Sequence, residues 1–446
     1  STGIGTTSRT SYLLDYDAVK TVTKTVADND DSFYRMDKLF GARTKNDGAW
    51  HNYKTVSTFS STCNAGMSKL FNYIGLENST NAYGCNGLTE VTDMLFSVKY
   101  TISNKLLAES NLRSYYTGSD GEFIYKNNYT LPIGFAINEQ SASKMNFMTA
   151  NNGIENQNLM IQNMTGISDV FTVVDEFPNE SECTIKPQKD GHLYLIAANQ
   201  SVDYITVTLN NSDKSYSYSN LKSNNRIIDV GYVTKSDTVE VTAETGMNLT
   251  AYMLDSDKLI KAYNILNEES YQVDSYTDTH FKGSISLSSD KTVLFSIPYD
   301  AGWSVYVDGK RVDTFVWKNA LLCVDVPAGT HSLELRYVPH NLILGCVLTA
   351  FSIIILIGIY VSARLIKNGR IHTDNWPVFI RKYLELPVIE SVAESHSDNQ
   401  DDNFLNKNIQ ETILDEMNDF DNLESPDFED DTSDYNLKDN ETKEDL

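Results

Sequence analysis

The chain has 446 residues, with 61 Asp and Glu against 36 Lys and Arg, a formal net charge of −25 and 26 tyrosines. That balance excludes a nucleic-acid binder, which needs a basic patch. Five cysteines are too sparse for a disulfide framework, and no CxxC or HExxH spacing offers a metal site or a resident cofactor.

In chain order, residues 11–28 place Leu14, Ala18, Val22 and Val26 at helical spacing. Phe33-Tyr-Arg-Met-Asp37 alternates like a strand, and Asn46-Asp-Gly-Ala-Trp50 reads as a loop because Asn, Asp and Gly accept turn geometry. Thr55 to Ser60 and Leu95 to Ser103 read as strands from their β-branched and aromatic content, as does Glu122 to Asn127. Asn64 to Gly75 reads as a short helix closed by glycine. The first region, 1–137, is therefore expected to be a mixed α+β domain, followed by a helical connector over 138–170.

From about Phe171 the period changes to two. Leu193–Ala197, Tyr204–Leu209, Ile227–Tyr232, Thr238–Ala243 and Leu249–Leu254 are short, evenly punctuated strands, which predicts a β-sandwich over 171–268. After a helix near Asp257–Glu268, a second set of strands fills 269–340. Asp308-Gly309 in it is a two-residue hairpin turn. Cys63 and Cys85 fall in one region, and whether they pair is left open.

Leu342 to Val361 contains no charged residue. As a helix it is about 30 Å long, the thickness of the bilayer's hydrocarbon core. A transmembrane helix is assigned to 341–363. Arg364, Lys367, Arg370, Arg381 and Lys382 follow it closely, so the positive-inside rule predicts 1–340 outside the cell and the C-terminal part in the cytoplasm. Residues 364–390 read as an interfacial helix. Residues 391–446 read as a disordered acidic tail, with 18 acidic and 3 basic residues from Asp398 onward. The lipid bilayer is thus one partner. The start at Ser1 shows no export signal, so the expectation is a fragment whose N-terminal part lies in the membrane.

A set of short words occurs in a fixed order. They are Phe33-Tyr-Arg35, Asn46-Asp47, Val56-Ser-Thr-Phe-Ser-Ser61, Gly75-Leu76, Val98-Lys-Tyr-Thr-Ile-Ser103, Leu131-Pro-Ile-Gly-Phe135, Asn156-Gln-Asn158, Ile297-Pro-Tyr-Asp-Ala-Gly-Trp303 running on to Lys310, and Pro327-Ala-Gly-Thr-His331 before the span. In that order they resemble the C-terminal half of the YfhO family of bacterial membrane proteins, which look like multi-spanning glycosyltransferases of the GT-C architecture. The family's N-terminal spans and the acidic catalytic loop among them do not occur in this sequence, so catalytic residues are not assigned.

The resemblance implies transfer of a sugar from a polyprenyl-phosphate donor to an envelope polymer such as teichoic acid. Among the family words, Asp47 is the loop carboxylate that would face a site, and Asn46 is its turn partner. Arg35 has the fork for a phosphate. Trp50, Tyr53 and Trp303 are candidates to stack on sugar rings, and Asn156, Gln157 and Asn158 to bond sugar hydroxyls. Each has a plainer reading: a turn pair for Asn46 and Asp47, a local ion pair for Arg35, core packing for the aromatics and a helix cap for the amides. Two other functions fit the same sequence: a surface-displayed glycan-binding or adhesion protein with one anchor, and an accessory subunit of a separate transferase.

Overall fold

The computed structural model describes residues 8, 10, 13–40, 45–137, 152–197, 202–210, 215–218, 227–339 and 341–368. The interfacial helix and acidic tail expected after the span lie outside these residues, apart from the first few positions after 363. It is an α+β protein.

At the front, α1 (Tyr16–Ala27) buries Val19, Val22 and Val26, one side of a 3.6-residue repeat. They pack on Met36, Tyr100, Ile102 and Ile124 of a four-stranded sheet. Its first strand is β1 (Arg35–Lys38). Then come α2 (Asp47–His51), β2 (Thr58–Phe59), α3 (Ala65–Tyr73), β3 (Ala82–Tyr83) and α4 (Glu90–Leu95), followed by β4 (Val98–Ser103), β5 (Arg113–Ser119) and β6 (Glu122–Asn127). The sheet order is β1-β4-β6-β5, with β1 parallel to β4 and the other pairs antiparallel.

Three local readings change here. Asn46 to Trp50 is not a plain loop, since Asp47–His51 makes a short helix. Of Thr55 to Ser60 only Thr58 and Phe59 pair as a strand, with Tyr83 and Ala82. Thr55 and Ser57 turn their hydroxyls onto Asp37 instead. The apolar run at Leu95 begins inside a helix: Thr89 and Thr92 form a capping box at its start, and Ser97 in the left-handed region (φ 58°) turns the chain into β4.

The next group is β7 (Gly134–Ile137), α5 (Gly153–Thr165), β8 (Phe171–Ile185), β9 (Gly191–Ala197), β10 (Ile205–Leu209), β11 (Ser215–Tyr218), β12 (Ile228–Val233), β13 (Val239–Leu254) and α6 (Ser256–Glu268). The sheet runs β11-β10-β13-β9-β12, and β8 also pairs with β13. The strands expected at 238–243 and 249–254 are one strand, bulged between Thr242 and Leu249 where Glu244-Thr-Gly246 mimics a turn in the sequence. α5 rests on the turn after α3: a Cβ on Gly153 would stand 2.4 Å from the Gly75 Cα, so only glycine fits.

The last strands are β14 (Gln272–Thr277), β15 (His280–Leu287), β16 (Lys291–Pro298), β17 (Trp303–Val307), β18 (Lys310–Val312), β19 (Thr314–Trp317), β20 (Leu321–Val326) and β21 (Gly329–Tyr337). They form two sheets, β14-β15-β21-β17-β18 and β19-β20-β16-β7. Phe281, Val305 and Leu335 of the first share a core with Val293, Phe295 and Leu322 of the second, which is sandwich packing. β7, from before the connector, is the edge strand beside β16, so the front of the chain supplies a strand to the rear sandwich. The Asp308-Gly309 hairpin has both residues at positive φ, 50° and 77°, as the tight turn requires.

α7 (Leu342–Lys367) is considered by itself. Its Leu342–Leu365 stretch is long and apolar enough to cross a membrane, and none of it is buried. All five cysteines are free thiols. Cys63 points its sulfur at the Thr80 carbonyl and Cys85 at that of Lys38.

Candidate functional site

A polar pocket opens where β1, α2, the 53–57 segment and the turn after β3 meet. Its empty space is about 330 Å³ with open solvent included, the enclosed part being little larger than a water molecule, and Lys38, Lys45, Asp47, Tyr53, Ser57 and Asn86 are among its lining residues. Strand β1 supplies Lys38 and the short helix supplies Asp47. Both side chains are buried, with Lys38 Nζ 2.8 Å from Asp47 Oδ2. Lys45 pairs with Glu77, and the Asn86 amide donates to the same carboxylate at 2.5 Å.

Asp37 is buried and lies behind the pocket wall. It accepts from the Thr55 hydroxyl and, at 3.4 Å, from Ser57 Oγ. Burial pushes its carboxyl up to about 7 against the pull of the Thr55 hydrogen bond. The Tyr53 phenol is pushed up by burial and then by the Asp37 charge, as is the Cys85 thiol. A thiol so disfavoured as thiolate is a poor nucleophile. Glu122 is also buried, and burial followed by the Asp15 charge takes it up to about 7, while Lys38 pulls the other way.

Both lysines that line the pocket are matched to carboxylates, so a phosphate entering would have to break a buried ion pair. Hydroxyls, an amide and paired carboxylates suit a neutral polyhydroxylated ligand better. Among the described residues no group of three or more His, Cys, Asp and Glu could hold a metal ion.

Of the residues singled out from the sequence, Asp47 and Tyr53 meet in this pocket. Asn46 lies beside them and clamps the Phe59 backbone, accepting from its N–H at 2.9 Å and donating to its carbonyl at 3.0 Å. Trp50 stacks edge-on with Tyr16 at 5.2 Å. The other candidates are elsewhere. Arg35 donates to the Phe96 carbonyl (2.6 Å), the Ser296 carbonyl (2.7 Å) and Ser296 Oγ (3.0 Å), so its fork ties β1 to β16. Asn156 donates to the Tyr73 carbonyl (2.6 Å) and Gln157 to that of Ile74 (2.7 Å), while Asn158 exchanges two bonds with the Phe171 backbone. These amides do not cap α5; Asn152 does. Trp303 is in the rear core against Tyr337 at 5.0 Å. Lys38 and Asn86 join the pocket from positions that no local sequence pattern connects to it, and Lys45 joins from the position before Asn46.

Against known proteins, a family model described as "Bacterial membrane protein YfhO" matches residues 1–183 and 175–349. No curated protein matches the chain. Solved structures similar to parts of it include arabinofuranosyltransferase AftD from Mycobacteria, at 9% identity and a TM-score of 0.15, covering 35% of this chain and 12% of that one. A cupin 2 conserved barrel domain protein from Leptotrichia buccalis is 14% identical with a TM-score of 0.13, covering 38% of this chain and 88% of that one. Scores this low carry no argument about function.

Proposed function

Because the chain belongs to the YfhO family of bacterial membrane proteins, we propose that it serves a membrane glycosyltransferase reaction, with the mouth of its polar pocket contacting the hydroxyls of a sugar unit of the acceptor. A sugar passes from a polyprenyl-phosphate carrier to a cell-envelope polymer such as teichoic acid. The body formed by the sheets faces the outside, and α7 crosses the bilayer with its basic end, Arg364 and Lys367, inward.

The observation that carries this reading is the pocket's composition. The buried Lys38–Asp47 pair and the Lys45–Glu77–Asn86 group present fixed donors and acceptors around an open concavity. Such a wall suits hydroxyls, which both donate and accept. Asp47 is held by Lys38 and so orients a hydroxyl rather than taking its proton. The base that deprotonates the acceptor is not assigned to this body.

The test uses membranes containing the full-length protein, a radiolabelled polyprenyl-phosphate sugar and purified envelope polymer. Label should enter the polymer, and Asn86→Ala, at an exposed position on the pocket rim, should raise the acceptor KM with kcat little changed. Transfer with an unchanged KM in Asn86→Ala would remove the pocket from the reaction. Saturable glycan binding with no transfer would favour the surface-displayed binding protein instead.

A further inference from the structure

Away from the pocket, a second polar group joins α4, the loop between β4 and β5, and β9. Glu90, in the first turn of α4, and His192, on β9, are 5% and 3% exposed. His192 Nδ1 lies 2.8 Å from Glu90 Oε1, and His192 Nε2 lies 3.3 Å from Ser110 Oγ. The Tyr194 hydroxyl donates to the other Glu90 oxygen, and an Arg113 nitrogen stands 3.3 Å from Oε1. Burial opposes charge on Glu90, but His192 and then Arg113 outweigh it and hold the carboxyl down at about 2. Ser110 is only half-buried, between the exposed Glu109 and Asn111.

We propose that Ser110, His192 and Glu90 form a nucleophile, base and orienting carboxylate, giving this protein a serine-esterase activity toward short-chain carboxylic esters. The order of contacts is the one that chemistry needs. The carboxylate stands at Nδ1 and favours the tautomer that carries its proton there, so Nε2 is left to accept from the serine. The Nδ1 contact is off the N–H axis, as catalytic hydrogen bonds outside a substrate complex commonly are. The Leu112 and Arg113 backbone N–H groups donate to Ser110 Oγ at 3.1 and 3.2 Å and stabilise its alkoxide.

In the reaction, Ser110 Oγ bonds to the ester carbonyl carbon while His192 Nε2 takes its proton. The tetrahedral adduct collapses, the bond to the alcohol oxygen breaks, and the alcohol leaves with the proton from His192. Water then attacks the acyl-serine, giving one proton to His192. Collapse releases the carboxylic acid and returns that proton to Ser110. No oxidant or further co-reactant is needed. Ser110 and His192 are the catalytic residues, and Glu90 is a positioning residue. The groups that face the imidazole are Glu90, with Asp229 near enough to act by charge, and the Tyr232 ring in edge contact at 5.4 Å; Arg113 acts by charge on Glu90 and Asp229.

The experiment treats the full-length protein in detergent with a fluorophosphonate and maps the adduct by peptide mass spectrometry, with p-nitrophenyl acetate hydrolysis in parallel. The expected result is one adduct, on Ser110, that abolishes hydrolysis. Ser110→Ala should lose both adduct and turnover; it also removes the acceptor of the Leu112 and Arg113 N–H groups, so a lowered but still cooperative melt is the check that it is folded. His192→Gln should slow labelling about 100-fold or more. Glu90→Gln should slow it and move the pH midpoint of the labelling rate, with partial rescue by Glu90→Asp, which a purely structural role would not produce. A folded parent protein without an adduct on Ser110, or a Ser110→Ala variant that hydrolyses ester at the parent rate, overturns the assignment. Should His192→Gln fail to fold, the adduct map of the parent protein still decides, because it needs no variant.

Discussion

Arg35→Met tests whether this arginine is a clamp or a ligand for phosphate. The guanidinium donates to the Phe96 carbonyl, and it also holds the Ser296 carbonyl and Oγ. Burial lowers its pKa to about 10, so it keeps its charge at neutral pH. Methionine fills the stem's volume but donates nothing. Ser296 Oγ retains a bond to the Ile133 carbonyl at 3.3 Å, which leaves two carbonyls stranded. A hydrogen bond from a charged donor contributes about 1.5–3 kcal/mol, so the variant should lose about 3 kcal/mol or somewhat more. Arg35→Lys should not restore it, because one ammonium cannot span acceptors on two segments. Denaturant unfolding of the full-length protein in mild detergent measures the loss, and amide hydrogen exchange locates it, with faster exchange in β1 and β16. A loss below about 1 kcal/mol, with unchanged exchange and weakened polyprenyl-phosphate binding, would refute the clamp and return Arg35 to the phosphate.

Gly153→Ala should destabilise the body by about 1–3 kcal/mol, because the new methyl meets the Gly75 backbone and α5 must move. Thermal melting checks this, and an unchanged midpoint would mean the two segments are not in contact. Glu122 has a folded pKa of about 7, above its ordinary 4.5. Its contribution to stability is therefore fully present below about pH 4.5 and is lost as pH rises through about 7. Glu122→Gln should flatten, without abolishing, the fall in melting temperature across that window, since Asp37 titrates there too; an unaltered slope would count against the burial argument. Ile354→Lys places a charge inside α7 and should cost about 3 kcal/mol of membrane insertion. The readout is alkaline carbonate extraction, and full retention in the membrane pellet would argue against a spanning helix.

The features legible in the sequence are those whose cause is local. The apolar run of α7, the Asp308-Gly309 hairpin and the Asn64-capped α3 each follow from a few adjacent residues. The misread stretches are those where neighbours in space decide. Thr55 and Ser57 look like strand residues, but Asp37 takes their hydroxyls. Glu244-Thr-Gly246 looks like a turn, but β8 carries β13 through it as a bulge. The Asn156-Gln-Asn158 word is legible as three amides, yet its three partners are carbonyls of Tyr73, Ile74 and Phe171, two of them about eighty residues earlier in the chain. Asp47 and Tyr53 are visible as candidates because they share a short segment. Lys38 and Asn86 are not, because only the fold brings them to the same wall. The separation of Glu90, Ser110 and His192 hides that group in the same way.

The functional account depends on the folded body standing outside the cell while the acidic C-terminus stays within. The direct measurement is protease treatment of intact cells expressing the full chain, with one epitope in the body and one at the C-terminus. The account predicts that the body epitope is cleaved at once and that the C-terminal epitope survives until the membrane is permeabilised. Loss of the C-terminal epitope from intact cells, with the body epitope spared, would contradict it.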